Sequence, residues 1–186
     1  MAGELRLVSL PLSLPSLDRM PAQVLVLPLL RIDRPLPGAA GLADWRLNGR
    51  LSRLLQEGAF RAEEREALLT DSRGRIGAPF LLLFGLGESG RLDREKLAVL
   101  LGHLAGVVAR ARWKSAAIEV PARRLGSVDA DEALGLWLSA LAGRPPPEGV
   151  VLLRSSAAQE ERVASLSAKD KRIEWRGPLV PAVVRA

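Results

Sequence analysis

The 186-residue chain contains no cysteine, which removes three chemistries at once: disulfides, thiolate metal ligands and a cysteine nucleophile. Histidine occurs once, at His103, and no serine sits in a G-x-S-x-G elbow, so a Ser-His-Asp arrangement has almost nothing to draw on. A metal centre needs clustered His, Cys, Asp or Glu, and neither an H-E-x-x-H pattern nor a second histidine is present. No apolar run approaches the ~20 residues that cross a bilayer. The opening stretch, MAGELRLVSLPLSLPSL, lacks the basic segment and unbroken apolar core of a secretory signal. Internal repeats and low-complexity segments are missing too. These absences lead to the expectation of a soluble, cytoplasmic, non-catalytic protein with no cofactor, no metal and no membrane contact.

What is present is ordinary for a globular domain: 48% hydrophobic and 26% charged residues. A chain of this length buries roughly 70% of its unfolded surface and needs no staples. One domain over 1–186 is expected, with a core from about residue 4 to 176 and a proline-bearing tail over 177–186. Lysine and arginine total 27 against 21 acids, a net charge of +6. That balance can attract nucleic acid through phosphate contacts. The basic residues are nearly all arginines scattered beside acids, as in FRAEEREALL and RLDREK, which reads first as a solvated surface and only then as a nucleic-acid footprint.

The spacing of apolar residues divides the chain. ELRLVSL (4–10) alternates like a strand, and QVLVLPLL (23–30) is a continuous run of the kind covered on both faces. Residues 39–57 change to a helical stripe of Leu42, Trp45, Leu47, Leu51, Leu54 and Leu55, stopped by Gly58. REALLTD (65–71) is a short strand and FLLLFG (80–85) a buried one. Asp93 is placed to cap a long helix to about Arg112, Asp129 a helix through Ala142, and Ser156 a helix to about Ala168. Strands are expected at 115–121, 149–154 and 171–175. From residue 80 onward strand and helix alternate, which predicts a largely parallel sheet with helices on both faces. The fold class is therefore α/β: three layers, α/β/α, with the N-terminal strands adding a mixed or antiparallel part. The four tryptophans are expected as core or interface anchors.

One motif asks for chemistry. Gly85, Gly87 and Gly90 follow a buried strand with G-x-G-x-x-G spacing. In a dinucleotide-binding turn the helix begins inside the glycines, whereas here its cap, Asp93, comes later. The matching acid belongs about 20 residues on; the acid at the next strand, Glu119, lies roughly 34 residues after Gly85. A glycine-rich strand-to-helix turn is favoured over a dinucleotide site. The backbone around Gly85, Leu86, Gly87 and Gly90, with Arg91, remains the candidate anion-binding position.

Two stretches, RPLPGAAGLADWRLNGRLSRLLQEGAFRAEEREALL and APFLLLFGLGESGRLDREKLAVLLGHLAGVVARARWKSAAIEVP, resemble the N-terminal domain of the leucyl aminopeptidase family. The resemblance spans roughly residues 23–155, and its most specific part is the LLFGLG run with the LD that follows. It implies a macro-domain-like α/β/α fold. In the full-length enzymes a separate C-terminal domain carries the two-metal site, and none of its ligands has a counterpart here. The resemblance therefore implies a non-catalytic module for self-association or for pairing with another protein, and the apolar residues of the tail segment PLVPAVV are expected as a docking element. Binding of a nucleotide or ADP-ribose is the second expectation, and DNA binding the third. The GAF of the family is usually followed by a glycine-containing turn; RAEERE stands there in this chain.

Overall fold

The computed structural model describes residues 4–123, 125–146 and 148–179. The PLVPAVV segment, apart from Pro178 and Leu179, lies outside the described residues. Among these, seven strands form one sheet: β1 (Leu5–Pro11), β2 (Val24–Leu30), β3 (Ala67–Asp71), β4 (Phe80–Gly87), β5 (Ser115–Glu119), β6 (Gly149–Arg154) and β7 (Ile173–Pro178). Their order across the sheet is β3-β4-β2-β5-β6-β1-β7. All neighbours pair in parallel except β3, which runs antiparallel to β4 at one edge. The mixed character thus resides in β3 alone; β1 and β2, expected as part of a mixed or antiparallel region, pair in parallel on both sides, β2 near the middle of the sheet and β1 next to the β7 edge.

The helices are α1 (Leu14–Asp18), α2 (Gly38–Arg46), α3 (Arg50–Gln56), α4 (Arg94–Arg110), α5 (Ala130–Ala142) and α6 (Ala157–Ser167). Side chains alternate across each strand with period two. Val24, Val26, Leu82, Phe84, Ala116, Ile118, Val150 and Leu152 pack toward α4, α5 and α6. Leu25, Leu27, Leu81, Leu83, Ala117, Val151 and Leu153 pack toward α1, α2 and α3. Chain travel explains this sorting. The connections through α4, α5 and α6 all move toward the β7 edge, while those through α1 and through α2 with α3 move back. Right-handed crossovers between parallel strands that run in opposite directions place α1 on one face and α4, α5 and α6 on the other; α2 and α3, on the connection to the antiparallel β3, pack on the face of α1.

The three sequence-predicted caps form: Asp93 Oδ1 accepts from the Lys96 amide at 2.8 Å, Asp129 Oδ1 from Glu132 at 2.8 Å, and Ser156 Oγ from Gln159 at 3.3 Å. Each satisfies one of the backbone donors a helix leaves open at its start. Two expectations are corrected. The single helix over 39–57 is two helices, parted at Leu47–Gly49 where Asn48 (φ 54°) and Gly49 (φ 74°) turn left-handed. Asp44 of α2 then caps α3, accepting from the amides of Leu51 (2.7 Å) and Ser52 (3.1 Å) and from the Ser52 hydroxyl. Trp45, expected in the apolar stripe and as an anchor, lies on the outer side of α2; it is 63% exposed, with the Arg46 guanidinium 5.1 Å from its ring centre. Trp137, by contrast, is buried against the sheet.

Candidate functional site

Two neighbouring parallel strands, β2 and β5, send their next helices to opposite faces, α2 to one and α5 to the other. Open α/β sheets bind ligands outside the carboxyl ends of strands at such a switch. Here that position holds a cleft of about 340 Å³. The local sequence opens it. The β2–β5 ladder ends at Val26 against Ile118, while the β2–β4 ladder continues to Leu30. Pro28 stands just beyond the last β2–β5 pair and has no N–H to donate. The strands part there, and Val26 to Leu29 become one wall.

The remaining walls come from separate elements. Leu12 follows β1, Pro37, Gly38 and Ala40 form the start of α2, Leu86 comes from β4, Trp137 from α5, and Ser155 from the end of β6. The loop after β5 contributes Pro121, Ala122, Arg123 and Leu125. Gln159 of α6 fixes two of these walls to each other. Its amide nitrogen donates to the carbonyls of Val120 and Pro121, and its oxygen accepts from the Ser155 amide and hydroxyl.

Three charged groups meet at the mouth. Arg123 pairs with Asp33 at 2.5 Å, and the other Asp33 oxygen accepts from the Leu30 amide at 2.8 Å, so this acid is buried and fully engaged. Glu119, at the end of β5, accepts through Oε2 from the Ala39 amide at 2.7 Å. Its carboxylate fills the space that a side chain at residue 38 would take, and Gly38 has φ 51°, so glycine is required there on two grounds. Glu119 thereby meets the electropositive start of α2, whose preceding residue, Pro37, offers no side-chain cap.

Burial raises the Glu119 pKa above its usual 4.5, partly opposed by the Ala39 hydrogen bond and by Arg123. The folded state therefore holds this proton more tightly than the unfolded chain. Burial of the ionised form costs stability above the ordinary glutamate range, and that cost disappears on acidification below it. Glu119→Gln retains an oxygen for Ala39 and removes the charge. The melting-temperature difference, variant minus wild type, is expected to be more positive at pH 8 than at pH 4. A pH-independent difference in paired thermal scans would contradict it.

The sequence-predicted residues do not converge on one point. Gly85 and Gly87 lie inside β4, and their amides donate to the carbonyls of Glu66 (2.8 Å) and Ala62 (3.0 Å). Leu86 lines the cleft. Gly90 and Arg91 belong to one turn of 3-10 helix, Ser89–Arg91, beside a separate shallow hollow with Asp93, Gly126 and Ser127. Arg91 is paired with Glu88 at 3.1 Å. Sequence reasoning passed over Asp33, Arg123 and Pro28, and weighed Glu119 only as the acid of a dinucleotide motif. Pro28 within an otherwise apolar strand was the available signal. A wider depression among Asp18, Trp45, Arg46, Asn48, Gly49 and Arg75 is away from the strand ends, and its Arg46 and Asp18 already bind each other. Among the described residues no three His, Asp or Glu side chains gather to hold a metal ion, and no helix is long and apolar enough to cross a membrane. His103 is exposed on α4, its ring tilted against Phe84.

The sheet order, helix layers and switch-point cleft define a three-layer α/β/α domain of the macrodomain type. The macro domain of ganglioside induced differentiation associated protein 2 is similar over 87% of this chain and 82% of its own, with a TM-score of 0.65 and 13% identity. A mutant Oceanobacillus iheyensis macrodomain with ADP-ribose is similar over 88% and 91%, with a TM-score of 0.61 and 12% identity. Tomato leucine aminopeptidase, also a mutant form, is similar over 89% of this chain but only 36% of its own length, with a TM-score of 0.57 and 13% identity. The family is fixed by sequence: residues 26–140 match the model described as "Cytosol aminopeptidase family, N-terminal domain". The chain belongs to that family.

Proposed function

We propose that this domain is a non-catalytic binding module and that its ligand site is the cleft at the carboxyl ends of β2 and β5. The observation that carries the reading is the cleft itself: an apolar hollow of about 340 Å³, at a topological switch, with a few convergent polar groups. Volume, lining and position support a small-molecule site. Of the glycine-loop residues, Leu86 belongs to it. The nucleotide form of the reading draws support from the ADP-ribose named with one structural neighbour.

The test is a panel of small apolar amines, acids, neutral amides and nucleotides, ADP-ribose included, titrated calorimetrically. Ala122 is exposed and lines the cleft, so Ala122→Trp fills it without touching the core. A ligand from any class whose binding Ala122→Trp abolishes supports the module; no binder in any class removes it.

Self-association has its own support. The outer edge of β3 has no partner strand among the described residues, and Leu69 and Phe80 beside it are 54% and 40% exposed. Open, apolar strand edges are templates for pairing with another chain. Light scattering on the intact chain and on Leu69→Lys tests it: an oligomer that the lysine dissolves supports pairing at this edge, and a monomeric wild type opposes it. Nucleic-acid binding draws on the net charge alone. Arg46, Arg50, Arg94, Arg154, Arg162 and Arg172 each sit in an ion pair with a neighbouring acid, so much of the positive charge is neutralised locally.

A further inference from the structure

The start of a helix facing a cleft ordinarily attracts a phosphate or carboxylate from a ligand. In this domain the chain supplies its own. The Glu119 carboxylate lies against the first turn of α2, takes the Ala39 amide, and occupies the volume left free by Gly38. A ligand anion at that point meets a resident negative charge. The other groups that attract anions are engaged as well. Arg123 is bound to Asp33, and the Gly85 and Gly87 amides are closed by the 61–66 segment.

What remains open is an acceptor. Among the described residues Glu119 Oε1 has no hydrogen-bond partner, while Glu119 is part of the cleft lining. Among the described residues at the mouth, Asp33 and Arg123 form an ion pair with each other, and the Glu119 carboxylate has no ion-pair partner. Around it the wall is hydrocarbon: Leu12, Val26, Pro28, Leu86, Leu125 and Trp137. A half-buried carboxylate left with an unused lone pair is stabilised most by a charged donor. An apolar wall rewards a hydrocarbon body.

We propose that the cleft selects a primary ammonium on an apolar body, the ammonium meeting Glu119 Oε1 and the body lying against Leu86 and Trp137, and that it excludes phosphates. The inference rests on the cleft being the ligand site and names the ligand class for it. Gly38 serves this selection, because only a residue without a side chain leaves Glu119 room at the helix start. Leu86, singled out by the glycine motif, acts as an apolar wall and not as part of an anion cradle.

The probes are 2-phenylethylamine, its N-acetyl derivative as the neutral isostere, 3-phenylpropionate as the anionic one, and ADP-ribose. A peptide beginning with phenylalanine, with and without N-acetylation, separates a free amine from a chain terminus as the natural source. Titrations use wild type, Glu119→Gln and Ala122→Trp, with thermal unfolding to verify that both variants are folded. The expected result is amine binding, at least tenfold weaker binding of the acetyl and carboxylate isosteres, no ADP-ribose binding, and a tenfold or greater loss of amine affinity in Glu119→Gln. Equal binding of the neutral isostere, or tighter binding of 3-phenylpropionate or ADP-ribose, overturns the charge selection while leaving the cleft as the ligand site, provided Ala122→Trp abolishes it. No binding by any probe overturns both.

Discussion

Gly85→Ala is expected to destabilise the domain by about 3 kcal/mol or more, a fall in melting temperature of roughly 10 °C for a chain of this size. Gly85 lies in the middle of the β4 ladder, and a methyl group built there overlaps the carbonyl oxygen of Glu63 and the backbone of Ala62. These are main-chain atoms and have no rotamer by which to retreat. The strand cannot retreat either, being held between β2 and β3. The 61–66 segment must therefore lift. Lifting it breaks the bond from the Gly85 amide to the Glu66 carbonyl, from the Arg65 amide to the Gly85 carbonyl, and from the Gly87 amide to the Ala62 carbonyl. Each buried partner left unpaired adds its own desolvation cost. Urea titration with an unchanged slope and a lower midpoint is the expected readout. Limited trypsin digestion should show cleavage after Arg61 or Arg65 that the wild type resists. A midpoint equal to wild type would refute the account.

Phe60→Ala carries the second large effect, about 3–5 kcal/mol, the range for emptying a fully buried aromatic site. Phe60 has no exposed surface and packs in the layer beneath α2 and α3. It is the large apolar anchor of a segment whose other residues, the buried Ala62 apart, are charged. From that anchor the chain turns through Ala62 (φ 58°) and Arg65 (φ 64°), while Glu66 accepts from the amides of Arg61 and Glu63. Phe60→Leu keeps most of the volume and is expected to cost under about 1.5 kcal/mol. Both Phe60→Ala and Gly85→Ala free the same segment, so their costs should fall short of additive in the double variant. Full additivity would mean that Phe60 and the Gly85 contact support different parts of the molecule.

RAEERE, where the family usually has a glycine-containing turn, is held by these contacts. Sequence reading took its acids for a solvated run, and for Glu63 and Glu64 that describes their exposure. Glu66 differs because its carboxylate replaces missing turn hydrogen bonds, a role fixed by backbone geometry that residue type alone does not reveal. The glycine motif shows the same limit. Its strand and the late cap at Asp93 were legible, since apolar runs and capping residues act over a few positions. Why Gly85 and Gly87 are glycines was not legible, because Gly85 abuts the main chain of Ala62 and Glu63 some 20 residues earlier, and Gly87 takes φ 77° against the Glu64 side chain.

The helix over 39–57 was overextended for a related reason. Its leucine stripe continues across Asn48–Gly49, and the stripe outweighed the turn signal that this dipeptide carries. Asp44, which holds the second helix, reads from sequence as an ordinary surface acid. At the cleft, Pro28 and Glu119 were both visible. Their meaning depended on β2 and β5 being neighbours, and that pairing is set by the crossover through α4, which no local pattern specifies. The strands buried on both faces were the most legible elements, because continuous apolar runs bounded by turns have few other uses in a chain this polar.

The position of β1 has a consequence for how the chain comes off the ribosome. Leu7 lies between Val150 of β6 and Trp175 of β7, so β1, which precedes every other strand of the described sheet, pairs with the two strands that are synthesised after all the rest. The span 26–140 that defines the family contains β3, β4, β5 and nearly all of β2, adjacent strands able to condense as soon as they emerge. Throughout that time β1 waits as an unpaired apolar segment. Closing the sheet around it is a late event with a large loop entropy, the kind of step that slows folding and exposes nascent chains to aggregation. The order of synthesis and the order of assembly therefore run against each other at this strand.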